Sequence, residues 1–242
     1  MACLFLSMSI PIYVITDREF RSSIKKTSLA IIPVGSLEQH GEHLPVSTDS
    51  LIVDYIARRT AEQLRSFVLP VIPYGVSYEH KPMFNVSLSN STLSSVMCDI
   101  CSSLSENGIK TIIILNGHHG NTGALQYIGQ ILDGKISTSS TVYAINYWHL
   151  LQSDFDHAGY VETSLVLAIS PELVKMNKAK PNSKSLLKSK VAYSSITTSP
   201  GALPRITGNG VWGDPRNATA RKGKQFLHEI IKKLIQTILE LD

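Results

Sequence analysis

Acidic residues and histidines gather in three short segments of this 242-residue chain. The first runs Gly35-Ser36-Leu37-Glu38-Gln39-His40-Gly41-Glu42-His43-Leu44-Pro45 and continues to Ser47-Thr48-Asp49. The second is Asn116-Gly117-His118-His119-Gly120-Asn121, and the third is Asp154-Phe155-Asp156-His157-Ala158-Gly159-Tyr160-Val161-Glu162-Thr163. Imidazole and carboxylate donors without cysteine suit zinc, manganese or iron better than a structural thiolate zinc. A carboxylate such as Asp49 can lend one oxygen to each of two cations. Two cations bring the pKa of a bridging water towards neutrality, polarise a carbonyl and stabilise the oxyanion that follows attack.

Taken singly, each residue has a plainer reading. Asp49 precedes a helical pattern and could be an N-cap, while His40 and His43 would suit a solvated loop. Glu38 abuts an apolar run, where an unpaired carboxylate is costly to bury. His118 and His119 stand between glycines, which let backbone approach a ligand closely. A lone histidine is usually structural; three such segments together favour a metal site.

The elements that must position these segments are legible in the apolar pattern. Leu29–Val34, Phe67–Ile72, Thr111–Leu115 and Val142–Asn146 are continuous, β-branched runs bounded by Gly or Pro, as in strands covered on both faces. Helical periodicity falls between them, over Ser50–Leu64, Thr92–Asn107 and Thr122–Leu132, with an amphipathic stretch from Thr219 to Leu241. The expectation is a single α/β domain over residues 1–242, a three-layer α/β/α sandwich with a mostly parallel sheet. Each polar segment then follows a strand, at the edge where such sheets bind ligands. The stretch from Lys178 to Asn217 has little periodicity and reads as a long surface excursion.

Composition narrows the function classes. With 43% hydrophobic and 17% charged residues the chain is an ordinary globular sequence, and its net charge of +4 is spread thinly enough to argue against a nucleic-acid surface. Three cysteines make no disulfide framework, which points to the cytoplasm. Cys98 and Cys101 form a C-x-x-C, but they lie in a helical apolar pattern and read as core. The apolar start, Cys3 to Ile15, lacks a basic flank and contains Pro11, a poor signal peptide and too short for a membrane span.

The same segments resemble the creatininase (creatinine amidohydrolase) family over most of the chain. The resemblance rests on Gly35–Asp49, on Asn116–Asn121 and on His157–Ser164. It is completed by Gly210-Val211-Trp212-Gly213-Asp214-Pro215, followed by Ala218-Thr219-Ala220 and Gly223. It implies a metal-dependent amidohydrolase with two divalent metal ions (zinc, manganese or iron) that cuts a non-peptide C–N bond in a small-molecule amide, a cyclic amide or a formamide. It also implies a homo-oligomer, a hexamer by analogy. Carried over, Glu38 and His118 would hold one metal and His40 the other, with Asp49 bridging. Creatinine-cleaving members have a glutamate where this chain has Gly120, and Glu162 is the candidate substitute. His157 resembles the catalytic histidine, with a second candidate role for Glu162 beside it; Ser77, His119 and Asp154 fall near substrate. His119 and Ser153 replace expected aromatics, which leaves the amide itself open. Within the family the alternative is a formylaminopyrimidine nucleotide deformylase, whose phosphate Lys81 or Arg205 could meet. Outside it, the alternatives are a metal-free small-molecule-binding module and a two-metal phosphoesterase.

Overall fold

A computed structural model of the chain describes residues 10–153, 156–183 and 202–241. Five strands, β1 (Ile10–Pro11), β2 (Leu29–Val34), β3 (Phe67–Val68), β4 (Thr111–Asn116) and β5 (Thr141–Asn146), form one sheet. Their order is β1-β3-β2-β4-β5, and every neighbouring pair is parallel.

Alternation within the strands builds two cores. Ile31 of β2 and Ile113 and Leu115 of β4 face one layer, made by α2 (Thr48–Leu64), α6 (Tyr160–Ile169) and α8 (Ala220–Leu239). Ala30, Ile32 and Val34 of β2, with Ile112 and Ile114 of β4, face the other. That layer holds α1 (Asp17–Ser23), α3 (Asn90–Glu106), α4 (Thr122–Leu125) and α5 (Ile128–Ile131). Helices on both faces are why these strands are apolar without interruption. The three-layer α/β sandwich expected from the sequence is the fold observed.

Three differences have local causes. The run at Phe67–Ile72 is a strand only over Phe67–Val68, because Pro70 has no N–H for the ladder. It rejoins β2 at a single Val34–Ile72 bridge. The Thr122–Leu132 pattern is two short helices rather than one, consistent with the weakening effect of Gly123 and Gly129. Part of the Lys178–Asn217 excursion is ordered as α7 (Ala202–Thr207), and residues 184–201 lie outside the described residues.

Cys98 and Cys101 sit on α3 inside the second core, unpaired, and burial pushes the Cys101 thiol up to about 12. Among the described residues no helix is long and apolar enough to cross a membrane. The site lies where β2 and β4 run side by side. The chain leaves β2 for β3 on one flank and β4 for β5 on the other, which opens a crevice at their carboxyl ends.

Candidate metal centre

Four elements converge on that crevice. The loop after β2 supplies Glu38 and His40, and the loop after β4 supplies His118. Asp49 and Glu162 come from the first turns of α2 and α6, where a helix N-terminus favours negative charge. All five side chains are buried. Asp49 makes no cap bond; its carboxylate turns inward instead. Oδ1 lies 3.2 Å from His40 Nε2, while Oδ2 lies 3.2 Å from His118 Nδ1 and accepts from Ser36 Oγ at 2.8 Å. Each oxygen of one carboxylate therefore faces a different imidazole.

The imidazoles are oriented from behind. His40 Nδ1 donates to the Glu38 carbonyl at 3.1 Å, leaving Nε2 towards Asp49 and, at 3.6 Å, Glu162 Oε2. His118 Nε2 donates to the Val76 carbonyl at 2.8 Å, leaving Nδ1 towards Asp49. A backbone carbonyl holding one ring N–H while the other nitrogen faces acidic oxygens is the usual arrangement of a metal-binding histidine. Glu162 is held in turn by the Ala158 N–H, which a left-handed backbone at Ala158 (φ +52°) turns towards it.

Charge makes the same point. Burial pushes Glu38 up, but His118 and His80 outweigh it and hold the carboxyl at about 2. Burial works against a proton on His40, yet Asp49 and Glu162 raise it to about 10, and His118 is raised by Glu38 and Asp49. Glu162, with burial dominant, is pushed up to about 8. Three buried carboxylates in one crevice thus demand positive charge, and a divalent cation supplies it where the imidazoles otherwise gather protons. Both Glu38 oxygens, fully buried, receive no hydrogen bond of acceptable geometry. Among the described residues, the donor groups whose ligand atoms lie within 4.8 Å of one another are Glu38-Asp49-His118, His40-Asp49-Glu162 and Glu38-His40-His157.

A cavity of about 260 Å³ opens onto these donors. His157 lines it, with Nδ1 3.9 Å from Glu38 Oε1, and burial together with His40 and His80 pushes its pKa well below the ordinary value. Its loop is clamped by Trp212, through backbone hydrogen bonds of 3.1 and 2.7 Å. His119 also lines the cavity, its ring 6.0 Å from that of Trp148. Ser77 is fully buried and is not among the residues lining the cavity, and Ser153 is exposed. Asp154 lies outside the described residues. Asp156 accepts from the Tyr160 and Val161 N–H groups and caps α6, and His43 is buried against Thr163 Oγ1 at 3.0 Å rather than solvated.

Sequence reasoning missed part of the site. His80 is buried with Nε2 3.0 Å from Glu38 Oε1, and Gln39 Nε2 donates to its Nδ1 at 3.0 Å and to the Gly210 carbonyl at 3.0 Å. Glu79, Trp148 and Trp212 also line the cavity. The one available signal was the adjacent Glu79-His80 pair, a fourth acid–histidine cluster in the loop after β3.

A sequence model described as creatinine amidohydrolase, of the creatininase family, matches residues 14–238. The chain belongs to the creatininase family. It is 25% identical to the creatinine amidohydrolase of Pseudomonas putida, over 97% of this chain and 98% of that one. It is 30% identical to the mycofactocin precursor peptide peptidase of Mycolicibacterium smegmatis, over 89% and 85%. A creatininase crystal structure described as the manganese form superposes with a TM-score of 0.82 at 23% identity, covering 96% of this chain and 98% of that one. As a creatininase-family member the chain is a hydrolase of carbon–nitrogen bonds, and its site has the donors for a divalent metal.

Proposed function

We propose that the chain hydrolyses a non-peptide C–N bond of a small amide at a pair of divalent metals, zinc, manganese or iron. Glu38 and His118 would hold one and His40 and Glu162 the other, with Asp49 shared. The observation that carries this is Asp49 itself, whose two oxygens each lie 3.2 Å from a different histidine. Bound there, the metals would activate a water and polarise the substrate carbonyl. Glu162 also stands in for the carboxylate missing at Gly120, in a donor group with His40 and Asp49.

The remaining chemistry falls to His157. Its depressed pKa makes it a neutral imidazole at rest, able to accept a proton from the attacking water and return it to the leaving nitrogen. Glu162 is the second residue to which we assign a catalytic role, beside its place among the donors around His40 and Asp49. His119 would contact substrate from the cavity wall, and Ser77 and Asp154 are the other candidates for substrate contact. The whole chain acts as one domain on this reading, in the cytoplasm, as a homo-oligomer with no nucleic-acid or membrane partner.

The test is elemental analysis of anaerobically purified protein, coupled to a panel of creatinine, formylamides and formylaminopyrimidine nucleotides. About two metal equivalents and turnover of one amide class are expected, with turnover lost in Glu38→Gln and Asp49→Asn while both still fold. Absence of metal under every loading condition would leave a binding module, and phosphatase without amidase activity would reassign the chemistry.

A further inference from the structure

Resting on that hydrolase reading, we propose that Glu79 is a specificity residue: it anchors a cationic nitrogen group, an amidinium, guanidinium or ammonium, beside the scissile amide. Glu79 reaches the cavity from the turn at Tyr78–His80, and its side chain keeps 24% exposure. It belongs to none of the three metal-donor groups. Its nearest charged partners are His118 Nε2 at 3.6 Å and His80 Nε2 at 3.9 Å, both beyond hydrogen-bond reach.

Gly120 lets the Val76 backbone, His118 and this carboxylate pack closely against it. A Cβ at that position would collide with the Val76 carbonyl and lie 2.8 Å from Glu79 Oε1. The other acids of the cavity are engaged, Glu38, Asp49 and Glu162 among the metal donors and Asp156 at the N-terminus of α6. Among the described residues, Glu79 Oε1 has no ionisable partner closer than His118 Nε2 at 3.6 Å.

The rest of the wall fits a flat cation. Among the described residues no Lys or Arg lines the cavity; Lys81 instead sits 5.6 Å over the Tyr78 ring, and Arg205 is exposed on α7. Among the described residues an anionic group therefore meets no lysine or arginine there, whereas a planar cation meets the Glu79 carboxylate and the indoles of Trp148 and Trp212.

Those indoles also provide the assay, because they are the chain's only two tryptophans and both line the cavity. Quenching of their fluorescence in metal-loaded protein reads binding of benzamidine, a planar cation, against benzamide, its neutral counterpart. Benzamidine is expected to bind at least about tenfold more tightly, the low end of what a charge-assisted hydrogen bond contributes. Glu79→Gln is expected to erase that preference, and Glu79→Asp, which keeps the charge but shortens its reach, to reduce it. Equal binding of the two probes to wild type, or a preference that survives in Glu79→Gln, overturns the proposal. The readout needs no turnover, so a failed amidase panel with intact charge selectivity would count against the hydrolase chemistry and not against Glu79.

Discussion

Glu162→Gln separates the two metal positions. The change keeps an oxygen for the Ala158 N–H but removes the negative charge from the group formed with His40 and Asp49. Groups that merely orient a ligand are worth roughly 10–100-fold in metal affinity, and a direct ligand belongs at or above the top of that range. A site held at about 100 times its Kd in free metal stabilises the fold by about 2.7 kcal/mol, and a 100-fold weaker one by about 0.4. The difference of about 2.3 kcal/mol corresponds to roughly 5–9 °C in Tm for a chain of this size. The Glu38-Asp49-His118 group keeps all its donors, so at that metal concentration, where the weakened site is half filled, bound metal should fall from about two equivalents to about 1.5.

Without metal the sign reverses. Burial raises the Glu162 carboxyl from its usual 4.5 to about 8, against the pull of His40. The folded chain then keeps a proton that the unfolded chain releases between those values, so metal-free stability falls as pH rises from 4.5 to 8. Glutamine has no such proton, and at pH 8 the metal-free variant should be the more stable of the two. Elemental analysis and thermal melts with and without chelator read both effects. Two equivalents retained with an unchanged metal-dependent shift would refute the placement of Glu162.

Two further outcomes test neighbouring parts of the argument. His157→Asn should lower kcat by about 10²–10⁴-fold, the usual worth of a positioned proton carrier, with metal content unchanged; loss of a metal equivalent would instead make His157 a ligand of the Glu38-His40-His157 group. Gly223→Ala would drive a Cβ into the Ser164 carbonyl and within 2.9 Å of Ala168 Cβ, where α8 crosses α6. The expected loss is about 1–3 kcal/mol, read by denaturant melts, and a variant as stable as wild type would contradict so close a crossing.

Much of the frame was written locally. Uninterrupted β-branched runs fit strands covered by helices on both faces, as β2 and β4 are, so their parallel arrangement followed from Leu29–Val34 and Thr111–Leu115; Val142–Asn146 forms β5 at the sheet edge, only partly covered. Glu38, His40 and His118 were legible because they lie in the loops that leave β2 and β4, and Asp49 because it opens the helix after β2; a parallel sheet delivers all such positions to one edge. Tertiary structure alone decided the partners. It chose which imidazole meets which oxygen of Asp49, and it brought Glu162 within 3.6 Å of His40 across 122 positions of chain. It also carried Glu79 and His80 in on a loop without periodicity, packed closely against Gly120. Sequence spacing fixes which edge of the sheet a residue reaches. The contact it makes there is set by packing between segments far apart in the chain, and no local pattern encodes that.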